Sequence, residues 1–286
     1  MNSRLITAAV ALPVLIASII FPPLKLLFVV LAGAAVVVAL YEFWFLAKRV
    51  GARPDVVVGY AATAALFVVF IFNWLELLYL IVPLFVVAAL VAEMLRGAPF
   101  DKMVLSVGST VLGVLYVAFL GSHLLAVRTG FTEVIPPEAG YWFGERIIDR
   151  TLSTHLLAFF FLVLMGSDTG AYYTGRALGR HKLAPSVSPG KTWEGAAGGL
   201  AASLAAAAAA HYWFFPELGL GAALALAAVM NVLGVVGDLT ESALKRGANA
   251  KDAAQILPGH GGLLDRLDSL LFNAPLIYYF ALYYWR

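Results

Sequence analysis

MVLSVGSTVLGVLYVAFLGSHLLAV, residues 103–127, contains no Asp, Glu, Lys or Arg. Wound as a helix rising about 1.5 Å per residue, it outreaches the roughly 30 Å hydrocarbon layer of a bilayer. Comparable runs lie to either side, near 5–22, 25–46, 56–72, 75–95, 151–170, 194–215, 218–237 and 268–285. The sequence therefore predicts an all-α, polytopic integral membrane protein with about nine transmembrane helices. Composition agrees: 62% of the 286 residues are hydrophobic and 13% charged, against roughly 25% charged in a soluble domain. Mean hydropathy is +0.89.

The first run, with Arg4 ahead of it, has the outline of a signal peptide. Phe21-Pro22-Pro23 replaces the small-residue cleavage site, however, and further spans follow, so it is read as a helix. Cysteine is absent, which excludes disulfides and thiolate chemistry. The N-terminus and the connections after helices 2, 4, 6 and 8 carry most of the 19 Lys and Arg, leaving only Lys25, Arg128, Arg146, Arg150 and Arg286 on the other side. By the positive-inside rule the first side is cytoplasmic, which predicts an integral inner (cytoplasmic) membrane protein with its C-terminus outside. Net charge is only +2, so the asymmetry carries the information and the net value does not; no nucleic-acid partner is expected.

Three regions are expected. Residues 1–127 form a membrane scaffold, 128–150 an external loop, and 151–286 a C-terminal catalytic region. In the scaffold, Glu42 and Glu93 read as solvated or Arg-paired carboxylates at helix ends, and His123 as a core or interfacial histidine. Gly195, Gly199 and Ser203 recur every fourth residue, giving a helix face nearly free of side chains. Packing within the chain is favoured over a dimer seam for that face, with a homodimer left open.

An ionisable group in hydrocarbon costs roughly 2.5–3.5 kcal/mol on insertion scales, so charge beside a span marks a pathway or a site. Two segments carry such charge. In 167–195, Asp168 is read as closing a helix, and a Gly- and Pro-rich loop follows with Arg176, Arg180, Lys182 and Lys191, ending at a helix entry near Thr192. In 238–268, Asp238, Ser242, Lys245 and Arg246 share one helical face, as do Asp265 and Asp268. Carboxylates gathered at a helix end repel one another until a proton or a cation intervenes. Hard oxygen donors with little histidine suit Mg²⁺ completed by phosphate oxygens. The bland alternative is a network of ion pairs to Arg266, Lys245 and Arg246.

The run Ser242-x-Leu244-Lys245-Arg246, then Lys251-Asp252, then Leu257-Pro258-x-His260-Gly261-Gly262-Leu263-x-Asp265-Arg266-Leu267-Asp268, resembles the signature of the phosphatidate cytidylyltransferases, or CDP-diacylglycerol synthases. SPGKTWEG at 188–195 and Asp168-Thr169-x-Ala171-Tyr172 resemble other segments of that family. The resemblance implies that CTP and phosphatidic acid give CDP-diacylglycerol and pyrophosphate, with Mg²⁺ and a second cation, K⁺. It carries the metal-binding pair onto Asp238 and Asp265, with Asp268 a further acidic candidate. Lys245, Arg246, Lys251 and Arg266 are then expected to meet phosphates, Ser242, Asp252 and His260 to contact substrate, and Lys182 and Lys191 to meet CTP. The active site is expected to face the cytoplasm. The rival from another class is an ion-coupled transporter, which would place acids at mid-depth in several helices and show an internal repeat.

Overall fold

A computed structural model of the chain describes residues 3–98, 100–133, 151–250, 253 and 262–285. A backbone in hydrocarbon must satisfy its own polar groups, and helices do so within one segment. The described residues accordingly form helices α1 (Ser3–Ile20), α2 (Lys25–Arg49), α3 (Val56–Ile71), α4 (Leu78–Leu95), α5 (Met103–Gly113), α6 (Leu120–Gly130), α7 (Leu152–Leu178), α8 (Trp193–Trp213), α9 (Leu220–Gly247) and α10 (Leu264–Tyr284). A π-helical turn, Val114–Phe119, joins α5 and α6 into one rod. Among the described residues, five stretches are long and apolar enough to cross a membrane: Lys25–Arg49, Leu75–Leu95, Met103–Gly130, Leu152–Leu178 and Leu220–Gly247. The rods follow the apolar runs in order, but length and composition qualify five of them as crossings rather than the nine expected.

One buried apolar cluster runs from Ile19 through Trp44, Phe70, Val117 and Phe160 to Ala281, so scaffold and C-terminal helices share a core. His123 belongs to it. Fully buried, its ring packs 4.6 Å from the Phe70 ring and 5.5 Å from that of Tyr278, and its Nδ1 lies 2.9 Å from the Phe119 carbonyl. At the other end of the bundle from the charged segments, buried Arg128 donates to Thr154 Oγ1 at 2.9 Å and to the Ser18 carbonyl at 3.0 Å, tying α6 to α7 and α1.

The tightest packing is between α7 and α8, and glycine permits it. A Cβ on Gly170 would stand 2.7 Å from the Gly198 carbonyl oxygen, and one on Gly199 would stand 3.1 Å from the Ser167 carbonyl. Gly195, Gly199 and Ser203 are all buried, so the small face is used inside the chain. Helix α7 also runs ten residues beyond Asp168, correcting the expectation that Asp168 ends a helix. No proline interrupts the chain until Pro185, and Gly170 and Gly175 are tolerated because they meet α8. Beyond α7, β1 (Lys182–Ala184) and β2 (Ser188–Thr192) form a small antiparallel hairpin in which Lys182 faces Thr192. Thr192 then caps α8, its Oγ1 accepting from Gly195 N–H at 3.1 Å.

Candidate functional site

The charged residues collect where the ends of α2, α7 and α9 meet the starts of α8 and α10. At the seam between α9 and α10, a Cβ on Gly237 would lie 2.6 Å from the Asp268 carbonyl oxygen, so this glycine sets the spacing of the two backbones. On α9, Asp238, Glu241, Ser242 and Lys245 follow the 3–4 residue rhythm of one face, and on α10 Asp265 and Asp268 are one turn apart. The two helices run antiparallel and bring these residues together in two layers.

The inner layer is closed. Lys245 Nζ lies 2.6 Å from Glu241 Oε2 and 2.7 Å from Asp265 Oδ1, with side-chain exposures of 14% for Lys245, 1% for Glu241 and 11% for Asp265. Asp265 Oδ2 also accepts the backbone N–H of Gly262 at 2.8 Å and of Ala253 at 3.3 Å. The Glu241 oxygens make no aligned hydrogen bond among the described residues, so the ammonium meets that carboxylate as a close charge rather than along a bond axis. Two carboxylates on one lysine leave excess negative charge, which the N–H groups at the start of α10 offset.

The outer layer is open. Asp238 Oδ2 pairs with Lys191 from β2, and Ser242 Oγ donates to Asp238 Oδ1 at 3.4 Å. Asp168 on α7 and Asp268 on α10 feel the charge of Asp238 and of Lys191, and Asp268 also that of Asp168. Lys191 contacts Asp238, while Asp168 and Asp268, from two other helices, lie within electrostatic reach of that pair, and Asp238 keeps 41% of its side-chain surface exposed. This excess of hard oxygen donors fits a divalent cation in donor chemistry. Among the described residues, no three His, Asp or Glu side chains stand at metal-ligand spacing.

The surroundings hold these layers in place. Glu194 accepts the backbone N–H groups of Arg180 and His181 and contacts His181 Nδ1 at 2.6 Å, fixing the approach to the hairpin. Arg246 Nε donates to the Val187 carbonyl at 3.4 Å, drawing the hairpin turn towards the end of α9. From α2, fully buried Glu42 accepts the N–H groups of Leu263 at 2.9 Å and Leu264 at 2.6 Å, where α10 begins. The expectation that Glu42 is solvated or Arg-paired is thus corrected: its partners are backbone donors. Glu93 does pair with Arg96, at 2.6 Å.

The sequence-predicted residues separate accordingly. Asp238 and Asp268 share the outer layer with Lys191, while Asp265 and Lys245 occupy the inner one. Arg246, Arg266 and Lys182 are exposed at the same end, and Ser242 leans on Asp238. Lys251, Asp252 and His260 lie outside the described residues. Sequence reasoning missed Glu241, although its spacing, three after Asp238 and four before Lys245, was a visible signal. It named Asp168 without drawing it into the acid cluster.

The described residues thus form a helical membrane protein with an acid cluster, flanked by basic residues, at one end of the bundle. Residues 2–284 match the model of the cytidylyltransferase family, and the chain belongs to that family. It is 36% identical over 201 residues to the phosphatidate cytidylyltransferase of a Synechocystis species, covering 68% of each chain. It is 39% identical over 164 residues to the Haemophilus influenzae protein of that name, covering 55% of this chain and 57% of the relative. It is 44% identical over 128 residues to the Staphylococcus saprophyticus one, covering 45% and 49%. The last two matches thus span only about half of those relatives. Membership makes this an enzyme, a CTP-using nucleotidyltransferase, and overturns the ion-coupled transporter reading.

Proposed function

We propose that this chain transfers a cytidylyl group from CTP to phosphatidic acid, releasing pyrophosphate and leaving CDP-diacylglycerol in the membrane. The names of its relatives support the substrates, and the open layer of Asp168, Asp238, Asp268 and Lys191 carries the reading, because its excess of carboxylates at a helix-bundle end would hold a cation for phosphates to meet. A phosphate monoester has a second pKa of about 6, so the nucleophilic oxygen is largely ionised at neutral pH and needs no general base. That oxygen attacks the α-phosphorus of CTP. A new P–O bond forms, the bond to the bridging oxygen breaks, and pyrophosphate leaves with that electron pair.

The chain's own task is to bring two anions together and hold them in line. Lys191, Lys182, Arg246 and Arg266 lie at this end to meet phosphate oxygens, and Ser242 orients Asp238. Lys245 acts indirectly, holding Asp265 and Glu241 so that α9 and α10 keep their register. Mg²⁺ held by Asp238 and Asp268 with Asp168, and with Asp265 one turn away, would supply the charge neutralisation that lets the anions approach. The site end faces the cytoplasm of the inner membrane in this reading, since CTP is water-soluble and the Lys/Arg asymmetry puts that end inside.

Radiolabelled CTP incubated with purified protein, Mg²⁺ and mixed micelles tests the assignment. Label is expected in lipid with phosphatidic acid and not with phosphatidylcholine, to stop with EDTA and to return with added Mg²⁺. No labelled lipid from phosphatidic acid would overturn the activity, and undiminished turnover in EDTA would overturn the metal.

A further inference from the structure

Helix α10 begins without a cap of its own: Leu263 offers no side-chain acceptor, yet the first turn carries Asp265 and, one turn on, Asp268. The acceptor comes instead from a helix more than two hundred residues earlier in the chain. Glu42 of α2, fully buried, receives the Leu263 N–H at 2.9 Å and the Leu264 N–H at 2.6 Å, one carboxylate oxygen for each. The next acidic residue, Asp265, receives Gly262 N–H at 2.8 Å and Lys245 at 2.7 Å. The start of α10 is therefore clamped by two carboxylates, one from the scaffold and one its own.

We infer that Glu42 is a positioning residue for the reaction, fixing the start of α10 so that Asp268 and Asp265 stand correctly against α9. This rests on the cytidylyltransferase reading for its activity readout. Glu42 touches no candidate substrate group and acts only through the α10 backbone. Its carboxylate suits the task because two oxygens can accept two N–H groups at once, whereas an amide presents one acceptor and turns its own NH₂ towards the second donor. Without it a buried donor and a half-buried one lose their partner and the first turn of α10 frays. Displacing reacting groups by about 1 Å can cost on the order of 100-fold in rate.

The test compares the unmutated full-length protein with Glu42→Gln, which keeps the side chain's shape, and Glu42→Asp, which keeps its charge. All three are assayed at a temperature where size-exclusion and thermal unfolding show them folded. Two quantities are read: kcat and KM for CTP with phosphatidic acid, and amide hydrogen exchange in peptides spanning 262–272. Glu42→Gln is expected to lower kcat about 10- to 100-fold with KM for CTP within about threefold, and to speed exchange at the start of α10. Glu42→Asp is expected to fall between the two. A kcat within twofold of the unmutated protein, even with a lowered unfolding temperature, would reduce Glu42 to a structural cap and overturn the inference, as would unchanged exchange at 262–272. If the unmutated protein makes no CDP-diacylglycerol, the activity reading fails by itself, and the exchange measurement still decides whether Glu42 holds α10.

Discussion

At the scale of single residues, the two layers between α9 and α10 should respond in opposite ways to substitution. Lys245 is the one cation in contact with Glu241 and Asp265 among the described residues, and all three are largely buried. Removing one partner of a buried pair typically costs about 3–5 kcal/mol because a charge is left uncompensated. Lys245→Ala is therefore expected to lower the thermal unfolding midpoint in detergent sharply, with Glu241→Gln in the same chain recovering part of it. An unchanged midpoint would remove the ion cluster as a stabilising contact. Asp238 is 41% exposed and feels nearby acids, so in Asp238→Asn the relieved repulsion offsets the loss of its pairing with Lys191, and the midpoint should stay within a few degrees. Its cost is expected in turnover, at least about 100-fold in kcat if the acid layer manages phosphate charge. Near-normal kcat would take Asp238 out of the site. Helical spacing disclosed that Asp238, Ser242 and Lys245 share a face. It could not disclose that Asp265 turns to Lys245 while Asp268 joins Asp238, because that choice is made by the approach of α9 and α10 at Gly237.

At the scale of elements, the glycines of α7 and α8 set how far Asp168 and the hairpin can stand from α9. Gly170 meets backbone rather than a yielding side-chain tip, with the Gly198 carbonyl oxygen 2.7 Å from where a Cβ would be. Gly170→Ala must therefore push the helices apart, and overpacking of this kind costs about 1–3 kcal/mol. Gly221, in the first turn of α9, faces open space, so Gly221→Ala is expected to be neutral or to add up to about 1 kcal/mol from helix propensity. Thermal unfolding of the two variants side by side checks this, and equal midpoints would mean that the α7–α8 contact is slack. The four-residue repeat of Gly195, Gly199 and Ser203 announced a close helix contact in the sequence. The partner and the length of α7 were not legible there, since an Asp inside an apolar run reads as a terminus until its tertiary neighbours are known. Glu42 reads in the sequence as a solvated or Arg-paired carboxylate for a related reason: its partners are backbone N–H groups, which carry no sequence signature.

At the scale of the whole molecule, the alternation of rods brings chemically different loops to one end. Arg96 reaches the Arg53 carbonyl at 2.7 Å and Asp55 at 3.0 Å, and Lys102 lies against Gly51, so the connections after α2 and α4 meet there. Glu42 ties that end of the scaffold to the start of α10, and Lys191 ties the hairpin to α9. The basic residues that predict orientation thus lie at the same end of the bundle as the acid layer, and sidedness and activity become one question. CTP carries several negative charges and does not cross a sealed bilayer. Vesicles prepared from an expressing bacterial host with the cytoplasmic face outward should convert added CTP and phosphatidic acid at full rate. Sealed vesicles of the opposite sidedness should turn over only after detergent opens them. Equal rates in both intact preparations would place the site away from the cytoplasmic face and break the link between the Lys/Arg asymmetry and the acid cluster. Activity only in the opposite orientation would invert the topology while leaving the internal geometry of the site intact.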